Sequence, residues 1–322
     1  MRRAIVLFLL LMGCSPLAWS ACTVTPTNGV FGTVTSFALN STEQEISGSL
    51  TVQCDAVLLN LLTGNTITMQ LSSASAAVSN RAILRRVDNP ASTDTIPVRL
   101  CGAAGCNNNS EALIGGSYTW SGNALLDLLN TRRIVLPIYF RTLSGQTVAA
   151  GQYQATFNLN VTYNICSLGL LGGCTSWQTG TVPVAVTATI SITNDCITIT
   201  APNVNFGSAP LVKNFPAVAQ GVAVTCTKGS VYSVGINNGS NASGNVRNMA
   251  SGNNRLSYEI YKGSTTARWG SSGTERWASS AASLLSANGL VRTYNYTARV
   301  LTTQTTPPAG TYSDTVVVDI AF

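Results

Sequence analysis

Apolar and polar residues alternate along much of the chain with a period of two, the spacing of β-strands that are buried on one face. Glycine and asparagine separate these runs, which is typical of antiparallel strands joined by turns. The clearest runs are Thr66–Leu71, Ile96–Leu100, Ser117–Trp120, Ile134–Thr142, Val231–Ile236, Leu256–Tyr261 and Tyr294–Leu301. The pattern predicts an all-β fold.

The strands fall into two similar copies. The first opens with CTVTPTNGVFG at Cys22 and the second with CITITAPNVNFG at Cys196, and each reaches a strand that ends in cysteine, at Cys54 and Cys226. Their last common strands, AAGQYQATFNLNVTY and PAGTYSDTVVVDIAF, place glycine, tyrosine and threonine at the same spacing. We therefore predict two Ig-like antiparallel β-sandwiches, with Cys22 paired to Cys54 and Cys196 to Cys226.

The two copies differ after this last common strand, which is strand F when the strands are lettered from A. The first copy continues through CSLGLLGGC (Cys166–Cys174) into Thr181–Ile192, an alternating run that supplies a strand G. The second copy reaches Phe322 on strand F, so we expect its sandwich to lack strand G and to expose an apolar groove. A strand from another protein is the known way to fill such a groove. The acceptor positions are predicted to be Val316, Val318, Ile320 and Phe322.

Residues 1–20 have the organisation of a secretory signal peptide, with Arg2 and Arg3, a short apolar run, and small residues before Ala21. A bacterial lipobox that would acylate Cys14 is the alternative. Removing the signal lowers the formal charge from +6 to +4 and leaves eight cysteines, an even number typical of disulfides formed in an oxidising compartment. The predicted domains are residues 21–192, a complete sandwich, and residues 193–322, an incomplete one.

Composition argues against several functions. The chain has no histidine, which removes the usual catalytic triads and zinc sites, and its few carboxylates show no glycosidase-like pair. We expect no enzyme activity, no metal and no cofactor. Charged residues make up 9% of the chain without Lys/Arg clusters, which argues against nucleic acid, and no run after the signal is long enough for membrane insertion.

Three stretches of the first copy are unusually rich in leucine for connections between strands. They are DAVLLNLLTG (Asp55–Gly64), GNALLDLLN (Gly122–Asn130) and CSLGLLGGC, which join B to C, D to E and F to G. A sandwich of this topology places these connections at one pole. The predicted surface-binding residues are Leu58, Leu59, Leu61, Leu62, Leu125, Leu126, Leu128, Leu129, Leu168, Leu170 and Leu171. Two alternatives remain open: ALLDLL as an amphipathic helix packed on the sandwich, and VLLNLL as a strand end in the core.

Four further cysteines are confined to the first copy. A bridge between Cys166 and Cys174 would keep the apolar tip presented, because a closed loop loses less entropy on contact. A bridge between Cys101 and Cys106, around CGAAGC, is interpreted as a purely structural staple.

Both copies resemble the spore-coat-protein-U-like domain, through the opening cysteine and FG, the second-strand cysteine, LSYEIYKGSTTARWG (Leu256–Gly270) and AGTYSDTVVVDI. The additional cysteines of the first copy depart from that pattern. The resemblance covers the mature chain and implies a subunit of archaic chaperone–usher pili. Two domains with leucine-rich loops resemble the tip adhesins of Csu-type pili.

The resemblance implies a periplasmic chaperone, an outer-membrane usher and the donor strand of an adjacent pilin subunit as partners. Because Cys22 follows Ala21 directly, the mature chain is expected to accept a donor strand without giving one, which places it at the pilus tip on the cell surface. The expected function is attachment to hydrophobic, abiotic surfaces, which promotes biofilm formation.

A lectin-like tip adhesin that binds a host glycan is the competing hypothesis. Tyr118, Trp120 and Trp177 are candidates for stacking on a sugar, and the polar segment CNNNSE (Cys106–Glu111) for hydrogen bonding to it. Packing in the core is the simpler interpretation of these aromatic residues.

Overall fold

A computed structural model describes residues 22–54, 64–121, 133–170 and 173–322, with the backbone alone for residues 167–170. The chain packs as two compact units. The first comprises the described residues up to Gly32 and those within Glu43–Leu143 and Tyr153–Ile190. The second comprises Thr33–Thr42, Ser144–Gln152 and Ser191–Phe322, so two short pieces of the first copy pack with the second unit.

The first eleven strands form one sheet that curls into a sandwich-like fold, and their bounds contain the four runs that the alternation predicted in the first copy. They are β1 (Thr23–Pro26), β2 (Gly29–Thr35), β3 (Glu45–Gln53), β4 (Thr66–Ala74), β5 (Ala77–Val78), β6 (Arg81–Arg86), β7 (Thr95–Cys101), β8 (Ser117–Ser121), β9 (Arg133–Thr142), β10 (Gly151–Leu170) and β11 (Gly173–Thr193). The order across the sheet is β1-β3-β9-β7-β6-β10-β11-β2, and β4 joins β10 to β8. Strand F of the first copy, β10, therefore has β11 as its strand G.

The core of the first unit is formed by the inward side chains of these strands. Leu50, Ile67, Leu84, Phe140 and Phe157 are fully buried, and the rings of the two phenylalanines lie 5.2 Å apart. This follows from the alternation, which places every second residue of a strand on the same face.

One short helix, α1 (Ser36–Ser41), was not predicted from the sequence. It follows β2 directly, and the Thr35 hydroxyl caps it by accepting a hydrogen bond from the Ala38 amide at 3.2 Å. Within the described ranges, no helix has the length and apolar character needed to cross a bilayer.

The second unit is a two-layered sandwich. Its strands are β12 (Cys196–Thr200), β13 (Val218–Cys226), β14 (Ser233–Ile236), β15 (Arg247–Ser251), β16 (Asn254–Lys262), β17 (Trp277–Ala278), β18 (Leu284–Leu285), β19 (Val291–Val300) and β20 (Val318–Ala321). Short 3-10 turns occupy Val212–Asn214, Gly273–Glu275 and Ser279–Ala281. One sheet has the order β12-β13-β19-β16-β15 with β18 beside β19, and the other has the order β17-β14-β20.

Strand β20 is the edge of the smaller sheet. Within the described part of the chain it pairs with β14 alone, through the register Val234↔Ile320 and Ile236↔Val318. This is the position of strand F, so the second sandwich has no strand G among the described residues. The predicted fold class, with two sandwiches and the second one incomplete, is confirmed.

Aromatic side chains fill the core of the second unit. Trp269 is fully buried at its centre, with the rings of Trp277, Tyr296 and Tyr294 at 5.0, 5.7 and 6.0 Å. Its indole Nε1 donates to the Val234 carbonyl at 2.9 Å, which attaches this cluster to β14.

Four disulfides join the pairs expected from the sequence. Cys22–Cys54 connects the start of β1 to the end of β3, and Cys196–Cys226 connects the start of β12 to the end of β13, over 32 and 30 residues. Cys101–Cys106 and Cys166–Cys174 close segments of 5 and 8 residues.

The segment CSLGLLGGC is not a closed loop as its glycines suggested. Strand β10 continues to Leu170 and β11 begins at Gly173, so Cys166–Cys174 bridges two paired strands. The two strands continue past the cysteines, because cross-strand pairing continues wherever both strands supply backbone partners.

Removing Cys22–Cys54 by a double substitution to serine should lower the free energy of unfolding of the first unit by about 3–4 kcal/mol, because the bridge restrains a long segment of the unfolded chain. The matched double substitution at Cys101 and Cys106 should cost only about 2 kcal/mol, since its loop is short. Urea unfolding of the full chain measures both values. Equal losses would show that loop length does not set the contribution of these bridges.

Candidate functional site

An apolar groove runs along the open edge of strand F in the second unit. Residues 201–206 form one wall and residues 312–318 the other, and the cavity between them has a volume of about 340 Å³. The floor consists of side chains that are buried in the core: Val222, Ile236, Met249, Tyr258, Ile260 and Tyr296. The groove therefore gives access from the surface to the core of this unit.

Three of the four predicted acceptor residues lie together. Val316, Val318 and Ile320 are partly buried and pack against the core, and the first two line the groove. Phe322 lies beyond the end of β20, is 69% exposed, and has its ring 6.2 Å from that of Tyr232. The inward face of strand F is thus half-covered, which leaves apolar surface to be buried.

The backbone of strand F is also available at this edge. The Val317 amide donates to the Asn237 side-chain oxygen at 2.9 Å, and the Val317 carbonyl accepts from the Asn237 amide at 3.0 Å. Because backbone groups of successive residues point to opposite edges of a strand, those of Val316 and Val318 face away from β14. An incoming strand would meet both apolar side chains and backbone hydrogen-bonding groups.

The first unit shows what occupies the corresponding place in a complete copy. There β11 lies between β10 and β2. The repeat equates β10 with β20, and the Phe-Gly pair of β2 with Phe206-Gly207, beside the groove wall. The groove is therefore the place that a strand G would take.

The wall of this apolar groove contains one carboxylate, that of Asp314. Asp314 Oδ2 accepts a hydrogen bond from the Tyr258 hydroxyl at 2.8 Å, and Oδ1 accepts from the amides of Ser240 and Asn241 at 3.0 and 3.2 Å. Burial raises the pKa of Tyr258, and its hydrogen bond to Asp314 raises it further, so the phenol keeps its proton and donates it.

A buried arginine supports the end of β14 beside the groove. The Arg247 guanidinium donates to the carbonyls of Asn237, Ile236 and Trp269, each at 2.8 Å, and pairs with the Glu259 carboxylate. Burial lowers the pKa of Arg247, and the negative charge of Glu259 opposes that shift. Three carbonyls, two from successive residues at the end of β14 and one from Trp269, are thereby fixed around one side chain.

The residues that flank the leucine-rich stretches lie at one end of the first unit. Thr66, at the start of β4, is paired with Ser121 at the end of β8 and with Asn164 of β10. On β3 and β9, Gln53 is paired with Arg133. Two of the leucine-rich stretches, between Cys54 and Gly64 and between Ser121 and Arg133, therefore begin and end next to these paired residues. Strands β10 and β11 also run toward this end of the unit.

The leucines themselves are not part of the described geometry. Leu58, Leu59, Leu61, Leu62, Leu125, Leu126, Leu128, Leu129 and Leu171 lie outside the described residues, and of Leu168 and Leu170 only the backbone in β10 is described. The prediction that they form one exposed surface stays a prediction.

Buried polar contacts connect the strands at the end of the first unit that lies beside the leucine-rich stretches, which we call the leucine-rich pole. The Cys166 amide donates to Asn65 Oδ1 at 2.9 Å, and both residues are buried. The Cys22 amide donates to the Tyr163 hydroxyl at 3.0 Å. Together with the Cys22–Cys54 and Cys166–Cys174 bridges, these contacts connect β1, β3, β4 and the hairpin.

The residues considered for glycan binding are divided between core and surface. Trp120 is buried against Tyr118 with ring centroids 5.1 Å apart, and its Nε1 donates to the Gly102 carbonyl at 3.1 Å. Trp177 is 43% exposed. The exposed asparagines of CNNNSE line an open polar cleft with Arg99 and Arg141. Trp120 is therefore a core residue and does not present a face for a sugar.

No described group of three or more histidine, cysteine or acidic side chains is arranged to hold a metal ion. The described residues thus form an apolar groove at the open edge of strand F in the second unit. In the first unit, they form a set of connected strands beside the leucine-rich stretches.

The Spore Coat Protein U domain family matches residues 9–160 and 181–319, and the chain belongs to this family. No curated protein matches the chain.

Solved structures of pilus proteins are similar to it. One is the chaperone–tip adhesion subunit pre-assembly complex CsuC–CsuE of the archaic Csu pili of Acinetobacter baumannii, with 24% identity over 94% of this chain and 100% of that chain and a TM-score of 0.56. This likeness shows a shared fold. The CupB6 tip adhesin of Pseudomonas aeruginosa is similar over 94% of this chain and 93% of that chain, with 12% identity and a TM-score of 0.39.

Replacing Asn65 with alanine should free the buried Cys166 amide and lower the free energy of unfolding of the first unit by about 1–3 kcal/mol. Hydrogen exchange of the Cys166 amide should become faster in the folded protein. Thr68→Ala, which removes only an exposed hydroxyl contact with Thr119, is the matched control. Unchanged exchange at Cys166 would contradict the role given to Asn65.

Proposed function

We propose that this protein is a tip adhesin of chaperone–usher pili. Its second unit receives a β-strand, first from a periplasmic chaperone and then, at an outer-membrane usher, from the adjacent pilin subunit. Its first unit attaches the cell to hydrophobic, abiotic surfaces and promotes biofilm formation. The observation that carries the proposal is the contrast between β10, which has β11 beside it, and β20, whose corresponding edge borders an apolar groove.

The chemistry of the groove favours a strand as its occupant. An added strand would pair with the outward backbone groups of Val316 and Val318 and cover their side chains together with the buried floor. Each apolar side chain that becomes fully buried contributes about 1.5–3 kcal/mol. A compact small molecule would leave the backbone groups of the edge unpaired.

Similarity to known proteins supports the same assignment. The chain belongs to the family of Spore Coat Protein U domains and shares its fold, over 94% of its length, with a chain of a chaperone–tip adhesion subunit complex. The secretory signal expected at residues 1–20 fits export through the periplasm to the cell surface.

The arrangement of the first unit supports attachment by its leucine-rich pole. The described residues beside the three stretches lie at one end of the sandwich, on a base fixed by two disulfides and by the Asn65–Cys166 contact. Burial of one-third of the eleven leucines against a flat apolar solid would contribute about 5–10 kcal/mol before the cost of association. Many tips on one cell would then hold firmly through multivalency.

Grafting the first copy's own strand onto the second should complete the second sandwich. We expect a full chain with residues 181–193 added after Phe322 through a four-residue turn to be monomeric without a chaperone and to melt cooperatively, because the graft restores the F–G hairpin. The matched control is the same graft with Ser at the two positions that correspond to the buried Val186 and Ile190. Size-exclusion chromatography and calorimetry measure both, and identical behaviour of the two grafts would contradict strand acceptance.

Changing the eleven leucines to Ser or Thr should abolish retention of the chaperone-held protein on clean polystyrene, because the apolar contact area is lost. The thermal transition should stay within about 3 °C of the parent, since the changes lie at the pole. A matched control changes the exposed leucines Leu211, Leu284 and Leu285 of the second unit to Ser, which should leave retention intact. Unchanged retention in the eleven-leucine variant would contradict the attachment hypothesis. A glycan-binding screen with variants of Tyr118 and Trp177 would then be the next experiment.

A further inference from the structure

The two copies differ in charge at one inward position of strand F. The repeat equates Ala155 of β10 with Asp314, because each lies two residues after the shared tyrosine and one before the shared threonine. Ala155 is fully buried in the first unit, in a strand that has a neighbouring strand G. A charged residue therefore occurs at this position only in the copy whose groove is open.

Asp314 attaches strand F to two different parts of the second unit. Through Oδ1 it accepts from the amides of Ser240 and Asn241 and from Asn241 Nδ2 at 3.1 Å, all in the turn that follows β14. Through Oδ2 it accepts from the hydroxyl of Tyr258, which belongs to β16 of the other sheet and is part of the groove floor. The carboxylate thus connects the groove wall to both layers of the sandwich.

The turn after β14 comes close to the Asp314 carboxylate because it contains a glycine. Gly239 has φ +85°, and a side chain there would contact the carboxylate of Asp314. Only glycine allows the backbone to come near enough for the Ser240 and Asn241 amides to donate. Hydrogen bonds to an ionised group are stronger than those between neutral groups, so this cluster is a firm attachment.

We propose that Asp314 is a positioning residue that holds the wall of the groove in place while the groove is empty. In the first unit β11 does this by pairing with β10. In the second unit the wall at residues 312–318 has apolar side chains facing the buried floor across about 340 Å³, and burial of those side chains favours closure of the wall onto the floor. Because Asp314 attaches strand F to the turn and to Tyr258, strand F stays far enough from the groove floor for another strand to enter. This inference rests on the proposed function of the groove.

A role in holding the empty groove differs measurably from a general contribution to stability. If Asp314 keeps the groove competent, its loss reduces the fraction of molecules that can accept a strand, and the apparent affinity falls by that fraction. The rate of strand association then falls, while the rate of dissociation from a filled groove stays the same. Contacts that are equally important in both states leave the association rate unchanged.

The test uses the full chain and a fluorescent peptide of residues 181–193, followed by anisotropy. Asp314→Ala, which installs the residue of the first copy, should lower the association rate about tenfold, as expected if the competent fraction falls to about one-tenth, and should leave the dissociation rate within twofold. The matched control is Asp319→Ala on the same strand, whose carboxylate pairs with Arg276 at 2.7 Å outside the groove. Its association rate should stay within twofold of the parent.

In the peptide experiment, two results for Asp314→Ala overturn the inference. One is an unchanged association rate in Asp314→Ala, and the other is an effect confined to the dissociation rate. If the unmodified chain does not bind the peptide at all, the proposed function of the groove fails, and the inference fails with it. Binding to the unmodified chain without a difference in Asp314→Ala removes the inference alone.

A second set of measurements covers the case in which Asp314→Ala does not fold with an empty groove. In the chain with residues 181–193 grafted after Phe322, Asp314→Ala should fold and lose no more than about half of the melting-temperature shift that it causes in the ungrafted chain. Tyr258→Phe, which removes one donor, should lower peptide association two- to threefold. Equal destabilisation of grafted and ungrafted chains would show that Asp314 is a structural residue only.

Discussion

The structure of the second unit depends on a strand that has a neighbour on one side only. Strand β20 pairs with β14, and its other edge borders a groove whose floor is the core itself. A half-covered apolar face and unpaired backbone groups are costly in water, so such a strand requires either a partner or a means of staying in place without one. The first copy uses the partner and carries it in its own chain as β11, whereas the second copy has polar contacts around strand F.

Those polar contacts explain why charged residues occur so near an apolar groove. Arg247 fixes the carbonyls of Ile236 and Asn237, Asn237 holds both backbone groups of Val317, and Asp314 is attached to the turn that follows. A buried arginine and its partner Glu259 are weak contributors to net stability compared with apolar packing, but they define one arrangement of the groups around them. In a unit whose apolar core is open to solvent, a defined arrangement keeps the groove from collapsing.

The sequence predicted the parts of the fold that depend on local periodicity. Alternation identified β4, β7, β8, β9 and β19, and the repeat identified the difference between the F strands. Neither signal predicted that the hairpin continues beyond Cys166, because glycines between two cysteines are more typical of a turn than of a strand interior. The roles of Asp314 and Arg247 were also missed, since they depend on contacts such as that between Asp314 and Tyr258, which are 56 residues apart. The one available signal was the mismatch with Ala155 in the repeat.

The two copies also differ in whether their own residues supply strand G. The first unit contains its own strand G, so the Asn65–Cys166 contact and the paired rows beside the leucine-rich stretches do not require a strand from another protein. On the proposed function, the second unit would reach a closed sandwich only when its groove is filled. An adhesive surface built on the first copy would therefore be formed before assembly and would keep its shape when the occupant of the groove changes. On the proposed function, placing the incomplete sandwich in the other copy would separate attachment from assembly, because filling the groove would alter contacts around strand F and leave the base of the leucine-rich pole as it is.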